Sequence, residues 1–225
     1  MQEIALRRRE QVAEGTFAFY FDKPAGFSHQ AGQNALFSLG DESRTFTIAS
    51  APHERDLMIA TRMRESSAFK RALGAAPMGI RLKIDGPAGL MVLHEDEKRP
   101  AVFLAGGIGI TPFLAMIRDA DARLLPHRLL LIYSNRRPQD AAFLAELKHL
   151  QNRNFRMVAT MTQAPDWQGE RRMLSRELLA QHAKDLGDPV YYFAGPPGMT
   201  MAVQGMLGEM GVKEDDMRSE EFYGY

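Results

Sequence analysis

The chain has 225 residues, with 28 basic and 28 acidic side chains, six histidines and no cysteine. A net charge of zero, with Lys and Arg spread along the chain, argues against nucleic acid or a charged membrane surface as partner. Without cysteine there is no disulfide, thiolate nucleophile or Cys-ligated iron–sulfur cluster on this chain, and the histidines show no metal-ligand spacing, so no metal site is expected and any redox cofactor must be organic.

The predicted elements fall into two textures. Runs at 4–8, 16–21, 34–39, 45–48, 57–62 and 80–84 have β-type alternation and are separated by turn signals such as Ala31-Gly32, Gly40-Asp41 and Asp85-Gly86. Six strands at that spacing predict a small antiparallel barrel, interrupted by one helix over 67–73. After the charged turn at 95–100, apolar strands near 101–105, 129–133, 155–160 and 190–194 alternate with helical patterns near 112–121, 139–149, 175–182 and 198–210. That alternation predicts a doubly wound parallel sheet covered on both faces. The expected division is a barrel domain over 1–97 and a nucleotide-binding α/β domain over 98–225. The N-terminus shows no secretory signal. The longest apolar stretch, 101–117, carries three glycines and a proline, so it reads as strand plus helix and not as a membrane span; a cytoplasmic protein is expected.

The most informative segment is AVFLAGGIGITP at 101–112. An apolar strand breaks into Gly106, Gly107 and Gly109, where the backbone can turn and approach a ligand without a Cβ in the way. Thr111 is the expected N-cap and Pro112 the expected first residue of the following helix. Strand, glycine turn and helix start together form an anion site suited to phosphate. The standard dinucleotide fingerprint is absent, because Pro112 stands where the third glycine belongs and no acid follows about twenty residues on. The run 129–133 ends instead in Ser134-Asn135-Arg136-Arg137, a hydroxyl and two guanidinium groups that suit a 2′-phosphate and favour NADPH over NADH; a solvated basic turn is the alternative.

Three motifs in order give the chain a resemblance. Arg44-Thr45-Phe46-Thr47 resembles the R-x-[YF]-[ST] flavin signature of the ferredoxin–NADP reductase superfamily. Residues Gly106 to Pro112 resemble that family's G-G-x-G-x-[TA]-P nucleotide motif, and Ala194-Gly195-Pro196-Pro197-Gly198-Met199 resembles its [CA]-G-P-P motif. Gly32-Gln33 and Asp85-Gly86-Pro87-Ala88-Gly89 are similar to turns of the family's barrel. The resemblance implies an FAD-binding barrel and assigns roles. Arg44 would pair with the flavin pyrophosphate, with Thr45 beside it, and Phe46 would lie against the flavin ring where tyrosine is commoner. Thr47 would reach the hydride-accepting nitrogen. Ser66 and Ser67 would hold the pyrophosphate, with Arg62 and Arg64 adding charge or lying exposed at the edge. Thr111, Gly195, Pro196, Pro197 and Met199 would border the nicotinamide. Tyr225 would cover the flavin face, Tyr223 or Phe222 would pack, and Glu221 would help deliver a proton.

The implied function is a flavin-dependent oxidoreductase that takes hydride from NADPH, or NADH, onto FAD and passes electrons to a separate acceptor. That acceptor could be a ferredoxin, a flavodoxin, an oxygenase component or a small molecule. The alternatives are an electron-transfer subunit of a larger complex and a flavin or nucleotide sensor.

Overall fold

A computed structural model gives the structure of residues 1–222; Tyr223 and Tyr225, and with them the expected flavin-covering ring, lie outside the described residues. The first sheet comprises β1 (Gln2–Ala13), β2 (Thr16–Asp22), β3 (Asn34–Leu39), β4 (Glu42–Thr47), β5 (Asp56–Arg62) and β6 (Arg81–Ala88), all antiparallel in the order β4-β3-β6-β1-β2-β5. Strands β4 and β5, at the two ends of that order, lean against each other and curl the sheet into a barrel. Alternation drives the packing: Phe19 and Phe21 on β2 and Phe37 on β3 are fully buried, with the Phe21 and Phe37 rings 5.7 Å apart. Burial of each such ring contributes roughly 1.5–3 kcal/mol. Helix α1 (Ala68–Ala75) adds Phe69 and Leu73 to this core; Ser67 caps it, its side chain accepting from the Lys70 N–H.

The second sheet is parallel, in the order β11-β10-β7-β8-β9, built from β7 (Ala101–Gly106), β8 (Leu129–Asn135), β9 (Phe155–Met161), β10 (Val190–Gly195) and β11 (Met217–Glu221). Strand β7 is buried on both faces, which is why its sequence is continuously apolar. Ala101, Phe103 and Ala105 face one cluster with α2 (Thr111–Ala122) and Leu147 of α3 (Leu144–His149). Val102 and Leu104 face the other, with α4 (Arg176–Ala183) and α5 (Pro197–Glu209). The first cluster also takes in Ala18, Met58 and Ala60 of the barrel, so α2 packs directly on the outside of the first sheet.

The structure corrects two local expectations and adds one strand. Residues 139–149 are not one helix: a 3-10 turn at Pro138–Asp140 is followed by Phe143 at φ 59°, and only then by α3. Thr111 is not a cap. A 3-10 turn at Gly107–Ile110 precedes it, and Thr111 lies inside α2 with its hydroxyl donating back to the Ile108 carbonyl at 3.1 Å. Strand β11 follows no apolar run; its MRSEE sequence becomes a strand because the edge of β10 offers a parallel partner.

Candidate functional site

Strand β4 carries Arg44, Thr45, Phe46 and Thr47 to the seam where the barrel meets the second sheet. There they line a cavity of about 570 Å³ together with Thr61 and Arg62 of β5 and with Arg64, Ser66, Ser67 and Lys70 around the start of α1. The second sheet closes the cavity with Ile108, Thr111 and the β11 end, Glu220, Glu221 and Phe222. Of the predicted residues, Arg44 through Thr47, Arg62, Ser66, Ser67, Thr111 and Glu221 therefore share one space. A larger cleft of about 1040 Å³, lined by His29, His53, His94 and His127, contains none of them.

The electrostatics of the cavity ask for an anion at one end. Arg44, Arg62, Arg64 and Lys70 all line it. Burial holds the Lys70 ammonium below its ordinary pKa, and repulsion by Arg64 and Arg44 lowers it further. Buried Nε of Arg64 has no hydrogen-bond partner. Like charges gathered this way are relieved by a bound anion, and the first turn of α1 adds its positive dipole end. Phe46 closes the other side, its ring 5.4 Å from Phe69 and 6.0 Å from Phe37, so it is anchored in the barrel core while it lines the cavity.

At the opposite end sits a carboxylate that sequence reading missed. Glu220 accepts a hydrogen bond from Asn34 Nδ2 at 3.1 Å, across the seam from β11 to β3. Burial pushes its pKa up, and the Asn34 contact only partly offsets that. Thr47 lies near enough to oppose the shift as well, but its buried hydroxyl makes no full hydrogen bond, and Glu220 Oε2 is also unpartnered. Glu221, the predicted acid, is exposed and accepts from Thr200 Oγ1 at 3.3 Å. The missed signal was the strand itself, since only a β11 strand turns Glu220 inward.

The glycines of the two nucleotide motifs meet each other, while Ile108 and Thr111 of the first motif reach the cavity. Gly107 is left-handed, φ 53°. A Cβ on Gly106 would lie 2.3 Å from Met199 Sδ, and one on Gly109 would lie 2.2 Å from the Ala194 carbonyl oxygen. These contacts pack the β7 turn against the β10 end, so Gly106, Gly109, Gly195, Pro196 and Met199 form one tight junction at the C-terminal edge of the sheet, with Pro197 opening α5 and Pro112 in the first turn of α2. Ligands of parallel sheets sit at that edge. Ser134 pairs with Gly106 along the ladder, and Asn135 is buried with both side-chain polar atoms unpartnered. Arg136 is exposed. Arg137 is already committed: Asp140 takes it at 2.9 and 3.0 Å and Glu14 of the barrel at 3.1 Å.

Fold and site together define a class: an antiparallel barrel joined to a parallel α/β sheet, with a cationic, aromatic-walled cavity at the seam. Residues 103–205 match the model of the oxidoreductase NAD-binding domain family. The chain is 27% identical over 198 residues to reductase component 2 of terephthalate 1,2-dioxygenase from Comamonas sp., covering 86% of this chain and 59% of that protein. It is 25% identical over 211 residues to the reductase component of propane 2-monooxygenase from Mycolicibacterium smegmatis, covering 89% and 61%. A ferredoxin NADP+ reductase from Neisseria gonorrhoeae, solved with bound FAD and NADP, superposes with a TM-score of 0.85 over 98% of both chains at 19% identity. The match and these relatives support the ferredoxin–NADP reductase superfamily, and the solved structure shares the fold. It spans about three-fifths of the length of the two curated relatives. Among the described residues no helix is long and apolar enough to cross a membrane.

Proposed function

We propose that the chain is a flavin-dependent NAD(P)H oxidoreductase that passes electrons to a separate acceptor, a redox protein such as a ferredoxin, flavodoxin or oxygenase component, or a small molecule. The observation that carries this reading is the cavity at the seam, where unpartnered Thr47, Arg64 and Glu220 atoms line one space with four cationic side chains. Those residues fit FAD. Residues 1–97 would form the flavin domain and 98–225 the nucleotide domain, in a cytoplasmic protein.

Arg44, Arg62, Arg64 and Lys70, with Ser66 and Ser67, would hold the pyrophosphate. Phe46 gives the ring an apolar wall, and Thr47 offers a hydroxyl beside Glu220. When bound, flavin supplies two-electron chemistry towards nicotinamide and onward transfer to the acceptor. Thr111 faces the cavity from the nucleotide side, and the junction of Gly106, Gly109 and Gly195 to Pro197 borders the nucleotide. Glu220, whose pKa burial raises, places a carboxyl group at the wall of the cavity. The test is NAD(P)H oxidation with ferricyanide as acceptor. Turnover is expected to depend on added or bound FAD, and FAD-loaded protein that oxidises neither nucleotide would overturn the reading.

Two predictions attach to individual residues. Between the ordinary carboxylate value of 4.5 and the raised value of folded Glu220, the native chain holds a proton that the unfolded chain has released. Stability from this group therefore falls as pH rises through that window. Glu220→Gln removes the slope, so its Tm relative to wild type is expected to climb from pH 4.5 upward, while nucleotide-driven turnover drops. Parallel Tm profiles measured by calorimetry would show that Glu220 is not the buried acid described.

NADPH preference rests on Ser134, Asn135, Arg136 and Arg137, and the Glu14 and Asp140 contacts shift its weight to Arg136. Replacing Arg136 and Arg137 together by alanine is expected to raise KM for NADPH about tenfold, the loss of one charge-assisted contact, with NADH little changed. Equal changes for both nucleotides would remove the case for a 2′-phosphate site.

A further inference from the structure

Arg118 lies on α2 seven residues after Thr111, two helical turns along the same face. Its side chain is only 16% exposed, yet it serves both halves of the molecule. Within the α/β half, Nε and Nη2 form a fork with the two Glu146 oxygens at 2.6 and 2.8 Å. Towards the barrel, Nη1 donates to Glu54 Oε1 at 3.3 Å and reaches the Ala49 carbonyl at 3.5 Å. Glu54 in turn accepts from the Ala51 N–H at 2.7 Å. Ala49 to Glu54 is the segment that leaves β4 directly after Thr47. One guanidinium thus spans the seam, tying the helix that carries Thr111 to the loop that continues from Thr47.

We propose that Arg118 is a positioning residue for hydride transfer: it fixes the register of Thr111 against Thr47 across the cavity. This rests on the reading of that cavity as the hydride-transfer site. Two carboxylates share this one cation, and a planar fork is needed to satisfy both at once; a lysine offers a single point charge and cannot hold both geometries. Other polar ties across the seam, among them Asn34 to Glu220, Arg137 to Glu14, the Glu14 N–H to the Gln139 carbonyl and His53 to Asp119, remain when Arg118 is changed, so the halves stay joined but lose the fork that meets both.

The test uses three variants of the FAD-loaded chain: Arg118→Lys, Arg118→Met and the milder Glu54→Gln. Flavin reduction is followed anaerobically at saturating nucleotide, alongside FAD occupancy and nucleotide Kd. The reduction rate constant is expected to fall between about tenfold and a hundredfold, the size of effect that a misplacement near 1 Å produces, with occupancy and Kd within about twofold of wild type. Arg118→Lys should recover little of the rate. Because the sequence has no cysteine, spin labels at Asp41→Cys and Gln204→Cys, both exposed positions, report the separation of the halves independently of turnover. The distance distribution is expected to broaden in all three variants. An unchanged distribution overturns the proposal, and so does an unchanged reduction rate, or a loss accounted for entirely by missing FAD. If wild type itself is reduced by neither nucleotide, the functional reading fails, and the distances alone decide whether Arg118 sets the register.

Discussion

Alanine at Gly109 is expected to be among the most damaging single-methyl changes in the chain. The added Cβ would stand 2.2 Å from the Ala194 carbonyl oxygen, 2.5 Å from its carbon and 2.7 Å from the Gly195 nitrogen. All three are backbone atoms of β10, which is held by β7 on one side and β11 on the other and has no room to retreat. Overpacking of this kind costs about 1–3 kcal/mol and sometimes more, and each kcal/mol lowers Tm by roughly 2–4 °C in a chain of this size. The displaced β10 end carries Gly195 and Pro196, so nucleotide binding should weaken along with stability. Gly198→Ala is the control, because a Cβ there meets nothing within 4 Å. Equal melting temperatures for the two variants, by calorimetry, would contradict the tight junction.

Arg44→Ala is expected to yield largely apoprotein. Arg44 is exposed at the rim of the cavity, donating to the Ser43 carbonyl at 2.9 Å. Loss of a charge-assisted contact to pyrophosphate costs about 1.5–3 kcal/mol, roughly ten- to over a hundredfold in FAD affinity. Its removal also relieves the repulsion that lowers Lys70, so the apo chain should be no less stable than wild-type apo protein while the loaded chain is less stable. A variant that purifies yellow at full occupancy would show that the R-T-F-T strand does not anchor the flavin.

What could be read from the sequence, and what could not, follows from where the determining contacts lie. The barrel strands and strands β7 to β10 of the parallel sheet announce themselves because their burial repeats every second residue or is largely continuous, as at Phe19, Phe21 and Phe103. Ser67 and Ser175 cap their helices with their own side chains, a purely local signal. Strand β11 had no such signal: Met217 to Glu221 is mostly polar, and only β10 makes it a strand. Missing β11 meant choosing Glu221 over Glu220. The break at Phe143 was equally hidden, since no glycine marks its left-handed backbone. Arg137 looked free although Asp140 lies three residues on; its second partner, Glu14, lies 123 residues away in the chain.

The most direct test of the central claim is the anaerobic absorbance spectrum of the FAD-reconstituted protein, recorded before and after NADPH or NADH in separate cuvettes. The account predicts a bound-flavin spectrum bleached by reduced nucleotide, faster with NADPH than with NADH. Protein that refuses added FAD, or whose bound flavin neither nucleotide bleaches, would contradict it.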